Sequence, residues 1–286
     1  TTSAVTVKAA IANDYATHTN VKAVLILGHV AVPYSGDLNP DAHPDHLGAW
    51  PADVFYGSIA GSWTDATVND VSAGYVANRN TPGDGKYDQS AIPAAVELQV
   101  GRVDFYDMPA FSLTEVQMMD NYLAKDHSYK MDSLFVLHKA LISDNFGYFS
   151  GEAFAGTGWR SFPVLVGRDS IAATTTLISD LNTSPYQWAY GCGGGSFSSA
   201  GGIGNTANYA ANAGKGIFTV LFGSYFGDWN VTNNFLRAPL CQNPPALTNC
   251  WAGRPHWFFH HMALGENIGY STVVTQNNNS LTNTYN

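Results

Sequence analysis

Charge is what this sequence has least of. Only 12% of its 286 residues are Asp, Glu, Lys or Arg, about half the share of roughly 25% usual in soluble domains. Lysine and arginine number 13 against 22 acids, a formal net charge of −9, which excludes a general nucleic-acid binder because phosphate contacts need a basic surface. Cysteine is scarce, with three in all, so no disulfide framework carries the fold. No run of about 18 apolar residues is present, so no transmembrane segment is expected. The chain opens on Thr1 with no basic-then-apolar leader and reads as a mature soluble segment, its leader, if any, removed. With 45% hydrophobic and 13% aromatic residues it is a large-core globular chain rather than a disordered one. At this length it can bury about 70 to 75% of its unfolded surface.

Asn, Thr, Ser and Gly must then supply the polar surface. Asn-rich tracts such as Gln276-Asn277-Asn278-Asn279 and three Asn-x-Ser/Thr sequons at Asn182, Asn230 and Asn278 suit an exported, extracellular or cell-surface protein. Cys241 and Cys250 bracket a Pro/Asn-rich loop. Closing it as a disulfide would remove roughly 2 to 3 kcal/mol of loop entropy from the unfolded state. That pairing is the expectation, two buried thiols the alternative, and Cys192 is left over.

Strands are expected where near-continuous apolar runs end at turns: Ala23 to Leu27, Val96 to Val100, Leu134 to Ile142, Tyr186 to Tyr190 and Gly216 to Phe222. Runs that do not alternate mark strands covered on both faces. Helices are expected over Val5 to Thr17, Ser112 to Lys125, Asn205 to Ala213 and Arg254 to Ile268, with Ser112 and Glu115 spaced as a capping box. Strand alternating with helix predicts an α/β fold, a mainly parallel sheet between helical layers. The polar segment from Asp126 to Asp132 divides the chain into residues 1–130 and 131–286. The Gly/Pro/Asn/Asp-rich stretch Tyr34 to Pro93 is too long for a connection and reads as a folded excursion, a candidate for ion binding.

Sites in open α/β sheets form beyond the carboxyl ends of strands, which singles out Trp188 to Ser196, with Cys192 among glycines, and Phe218 to Trp229, with Ser224 and Asp228. Glycines let backbone amides approach a ligand closely, as an oxyanion site requires; the alternative is a tight turn with a buried thiol. In the excursion, Asn78, Asn80, Asp84 and Asp88 place oxygens at near-alternate positions around Gly83 and Gly85, a pattern fitting a structural Ca2+ loop or a plain Asx-rich turn. His43, Asp45 and His46 read as a surface loop rather than a metal site, lacking a fourth ligand. His256 and His260 have a zinc-compatible spacing but no intervening Glu motif, and Trp257, Phe258 and Phe259 make that stretch a packing element.

An ordered set of segments resembles the gingipain-like branch of the caspase-like cysteine peptidases. Val24-Leu-Ile-Leu-Gly-His-Val-Ala-Val-Pro33 resembles the family's first strand and turn, and Pro51 to Gly57 with Gly61-Ser-Trp63 its Asp-x-x-Tyr and Gly-x-Trp segment. Glu97-Leu-Gln-Val-Gly-Arg-Val103 resembles its strand ending in Gly-Arg, and Leu264 to Gly269 its late helix. The resemblance implies a caspase-like three-layer sandwich in two abutting subdomains, with calcium bound in comparable loops, to which Asp53 and Asp65 would add ligands. It also implies a catalytic histidine in a Gly-His-Gly turn and a nucleophilic cysteine after the next strand. Here those positions read Gly191-Cys192-Gly193 and Gly223-Ser224-Tyr225. Both dyad members are replaced, though the amides of Gly193 and Ser224 would keep an oxyanion-like nook.

A serine without a neighbouring base is a poor nucleophile, and a thiol of reference pKa about 8.5 does not replace imidazole. The expectation is therefore a catalytically degenerate peptidase homologue acting in binding, scaffolding or assembly, against protein or glycan surfaces or other copies of itself. Two alternatives stay open. One is an active cysteine hydrolase with Cys192 as nucleophile and another histidine, His29 or His138, as base. The other is a segment of a larger cell-surface protein.

Overall fold

The computed structural model describes residues 3–149, 151–212, 214–243, 246–251 and 257–278. The chain forms two compact units, Thr1–Val103 with Gly265–Asn286, and Asp104–Leu264.

In the first unit, helix α1 (Ala4–Thr17) starts on Ser3, whose side chain accepts from the Thr6 amide. Strands β1 (Ala23–Leu27) and β4 (Gln99–Val103) form a parallel pair. Only Ile26 of β1 is buried, while Leu25 and Leu27 are 58% and 43% exposed. Its apolar run thus reflects strand propensity rather than cover on both faces. The excursion between them is folded, as its length requires. It holds the antiparallel hairpin of β2 (Tyr34–Leu38) and β3 (Gly48–Pro51) and the short helix α2 (Val54–Gly57). The core centres on Ile26, Phe55, Tyr56 and Tyr87, with Phe55 stacked on Tyr87 at 4.4 Å. The helix expected from Arg254 to Ile268 does not form over its described part. His260–Leu264 is a 3-10 turn, Gly265 takes φ +93°, and a helix starts only at Ile268, capped by Asn267 and running to Gln276. Its neighbour Asn277 clasps Val96 in both directions, accepting from the Val96 amide (2.7 Å) and donating to its carbonyl (3.1 Å).

The second unit is built on a five-stranded parallel sheet. Helix α3 (Glu115–Lys130) precedes it, capped by Thr114 and Gln117 rather than Ser112 and Glu115; both pairs have the same spacing, and the chain uses the later one. Strand β5 (Leu137–Asp144) is followed by α4 (Gly156–Val166), β6 (Ile171–Ala173), α5 (Leu177–Thr183), β7 (Tyr186–Cys192), α6 (Thr206–Ala211), β8 (Gly216–Phe222) and β9 (Thr248–Trp251). In space the order is β9-β8-β7-β5-β6, all parallel. Every residue of β8 is buried. Trp188 packs between Phe162, Phe218 and Phe259 with ring centroids 4.9 to 5.3 Å apart. This is the helix-flanked parallel sheet of the α/β fold that the sequence predicts, and it is consistent with the caspase-like sandwich that the resemblance implies.

Helix α3 belongs to this unit, not with residues 1–130 as the polar segment suggested, because its polar groups bond there: Tyr122 Oη donates to Leu247 O (3.0 Å), and Lys125 Nζ to Leu240 O and Gln242 O (both 2.8 Å). Lys125 is buried among carbonyls, and desolvation lowers its pKa to about 7. The unfolded state then binds more protons than the native state above that value, so stability rises with pH through the window from about 7 upward. From pH 7 to 8.5 the native protein should gain up to about 1.4 kcal/mol per pH unit from this group. Urea midpoints against pH should show that slope in the wild type and a flatter one in Lys125→Met.

Candidate functional site

In a sheet of this order the crevice beyond the carboxyl ends opens where the strand order reverses. That point lies between β5 and β7, which end side by side on Asp144 and Cys192. Cys192 is 0% exposed, and its thiol donates to Asp144 Oδ1 at 3.2 Å. Burial above all, and then the charge and hydrogen bond of Asp144, push the thiol far above its ordinary pKa. Asp144 also accepts from the amides of Phe146 (3.0 Å), Gly147 (2.8 Å) and Ala155 (2.9 Å), pinning the turn that leaves β5. The pair is thus a protonated thiol on a carboxylate already held by three backbone donors, an arrangement that disfavours the thiolate a nucleophile needs.

The glycines around Cys192 serve backbone packing. The Gly193 amide, expected at an oxyanion position, donates to Phe222 O at 3.2 Å and is engaged. A Cβ on Gly193 would clash with the Gly201 carbonyl, and one on Gly195 with the Gly223-Ser224 backbone. Ser224 is buried just past β8, on the strand next to β7. After it Tyr225 holds φ +69° with its ring 5.3 Å from Phe197, a left-handed conformation that is strained for a bulky residue. Cys192 and Ser224 therefore sit at adjacent strand ends, while the thiol bonds to Asp144 across the β5 side.

No candidate base reaches this thiol among the described residues. His138 lies six positions before Asp144 in β5, roughly 20 Å along the strand, where it lines a cleft with Tyr129 and Gln187. His29 lies in the first unit and His256 outside the described residues; the His260 ring lies 4.1 Å from that of His261, the two tilted by 32°. His46 is not a surface residue: it is buried with Nδ1 2.7 Å from Asp41 Oδ2 and its ring 3.9 Å from that of Trp50.

The calcium-loop residues take separate partners. Asp88 accepts from Thr64 Oγ1 (2.7 Å) and the amides of Ala66, Thr67 and Val68 (2.8 to 3.0 Å). Burial opposes its ionisation, but these donors win and hold the carboxyl well below the usual range. Asp84 is bonded by the Thr81 and Lys86 amides and by Lys86 Nζ, and Asp65 by the Gly83 and Gly85 amides. Asp53 pairs with Arg102, while Asn78 and Asn80 are buried. Among the described residues no cluster of three or more His, Cys, Asp or Glu is arranged to hold a metal. Cys241 and Cys250 are free thiols, not a disulfide; Cys241 is buried with Sγ on Arg237 O, and Cys250 lies in β9 beside Val220 of β8.

The sequence did not single out Asp144 or the aromatic rim around it. Phe154 lies 4.6 Å from Phe146, 5.7 Å from Phe149 and 4.7 Å from Phe222, and Phe222 stacks 5.9 Å from Trp251. Tyr148 and Phe149 stand 79% and 49% exposed at its edge. The only signal was an Asp-Asn-Phe-Gly turn directly after an apolar strand. No described helix is long and apolar enough to cross a membrane.

No protein-family model matches the chain, and no curated protein matches it at a significant level. A solved structure described as "Structure of Protease" is similar in fold, with a TM-score of 0.52 and 14% sequence identity over 86% of this chain and 49% of that one. The chain spans about half the length of that protein, and at this identity the likeness is one of fold: an α/β architecture shared with a protease.

Proposed function

We propose that this chain is a gingipain-like peptidase homologue that no longer cleaves peptides, and that its sheet-end rim binds a protein or glycan surface outside the cell or on its face. The observation that carries the reading is the buried Cys192 thiol donating to Asp144. It leaves the position of the lost histidine with a group that neither attacks nor accepts a proton at neutral pH. The exposed Tyr148 and Phe149 beside it support a contact role, since aromatic side chains supply area at low entropic cost. The sparse charge and the sequons at Asn182 and Asn230 support export; the free thiols lend that placement nothing.

The test is chemical. At pH 8 native Cys192 should react with iodoacetamide on the order of a hundredfold more slowly than a free thiol, with no turnover of a peptide library above the Cys192→Ala background. Fast alkylation, together with hydrolysis abolished by Cys192→Ala, would establish the hydrolase instead. For the binding half, Tyr148→Ser/Phe149→Ser should weaken self-association in sedimentation or retention on a glycan array at unchanged Tm. Equal binding by this variant would remove the rim from the proposal.

A further inference from the structure

The amino ends of β5 and β7, at the far end of the sheet from Cys192, border a cleft of about 770 Å3, within the roughly 300 to 1,000 Å3 of small-molecule sites. Local structure fixes its walls. Helix α3 ends in a tight turn: the amides of Met131 and Ser133 donate to His127 O (2.9 Å) and Ser128 O (3.0 Å), and Asp132 takes φ +51°, a left-handed conformation that aspartate tolerates. The Tyr129 ring meets that of Phe218, in β8, edge-on at 5.8 Å. The Leu137 amide donates to Pro185 O at 2.7 Å and ties the start of β5 to the residue before β7.

The ladder is interrupted at this point. Leu137 pairs with Tyr186 and Ala140 with Trp188, so His138 and Lys139 together face Gln187. A bulge of this kind re-aims side chains, and bulges concentrate beside functional sites. Gln187 Oε1 is buried and accepts no hydrogen bond among the described residues. A buried acceptor left unbonded is destabilising, so a donor belongs beside it.

The lining narrows the kind of ligand that brings one. Lys130 Nζ is engaged by Asp126 at 2.7 Å, and the cleft carries the Asp132 carboxylate, which disfavours a phosphate or another anion. Burial and then the Asp132 charge raise the Tyr129 pKa, so its hydroxyl remains a donor. Phe135 is 73% exposed and offers a ring face that gains burial only when something covers it. A polyol ring meets all of these conditions: its hydroxyls both donate and accept, its C–H face is apolar, and it carries no charge.

We propose that this cleft binds a short neutral saccharide, its ring against Phe135 and its hydroxyls on Gln187, His138 and Asp132. The cleft lies at the amino ends of strands whose carboxyl ends carry the Tyr148 and Phe149 rim, and it does not rest on the rim reading.

The experiment titrates the whole chain with four neutral trisaccharides, cellotriose, maltotriose, mannotriose and chitotriose, followed by saturation-transfer NMR and calorimetry. At least one should bind saturably. Phe135→Ala removes an exposed side chain and should weaken that binding about tenfold at unchanged Tm. Gln187→Ala should weaken it by about tenfold as well; if this variant melts early, Phe135→Ala carries the test. Tyr148→Ser/Phe149→Ser should leave it unchanged, which separates the cleft from the rim. No saturable binding by any of the four would overturn the proposal. So would an affinity that both cleft substitutions leave unchanged, or binding that inorganic phosphate displaces. Self-association that Phe135→Ala abolishes, with no sugar bound, would make the cleft a protein-docking surface instead.

Discussion

Replacing Arg102 by Ala should destabilise the protein by about 3 to 5 kcal/mol, the cost of breaking a largely buried ion pair from one side. Its guanidinium grips Asp53 with two bonds, Nε to Oδ2 at 2.6 Å and Nη2 to Oδ1 at 2.8 Å. The same group donates to Val30 O (2.8 Å) and Ala31 O (3.1 Å), and Tyr56 Oη also reaches Ala31 O at 2.6 Å. Alanine would leave the carboxylate without its fork and two carbonyls short of donors. Lysine should recover less than half of the loss, because a point charge cannot make the paired contact. Urea unfolding of the three proteins checks this. A loss under about 1 kcal/mol for the alanine variant would mean that the turn after β1 is held by other contacts.

Asp144→Ala should cost about 3 kcal/mol, since three backbone amides and one thiol lose their common acceptor in a turn partly open to water. Asp144→Asn separates charge from shape. It removes the negative charge and the strongest acceptor beside Cys192 while keeping the side chain's size, so the thiol pKa should fall, although burial, the larger cause, keeps it raised. Alkylation of native Cys192 should quicken about tenfold in Asp144→Asn, with a smaller loss of stability than in Asp144→Ala. An unchanged rate would assign the thiol's inertness to burial alone, and a stability like that of wild type in Asp144→Ala would mean that the turn is self-supporting.

The sequence exposed the sheet better than the site, for a physical reason. The apolar runs of β7 and β8 stop at Gly191 and Gly223; β7 runs one residue past its glycine, to Cys192, and β8 has the expected bounds because burial on both faces leaves no alternation to blur them. Helix α4 went unseen because Gly156, Gly158 and Pro163 lie within it; a Cβ on Gly158 would press within 3.2 Å of Ile142 and Phe162, so packing overrides propensity there. The Gly-Cys-Gly and Gly-Ser-Tyr turns that close β7 and follow β8 were legible because each is local. The Asp144 to Cys192 bond was not, since it joins residues that only the parallel register brings together. Calcium-loop spacing and Asx-turn spacing use the same residue types, so sequence alone could not tell that Asp84 and Asp88 would turn to amides. The expected disulfide failed on a similar point: two cysteines near in sequence were placed on different elements, a 3-10 turn and β9.

The discontinuity of the first unit has a consequence for synthesis. Residues 104–264 form an uninterrupted segment that can close on itself as soon as it has left the ribosome. The earlier residues cannot, because Val96 waits for Asn277, which is made 181 positions later. Of the two units, the one begun earlier is therefore completed later, and until Asn277 is made the backbone groups of Val96 lack their side-chain partner.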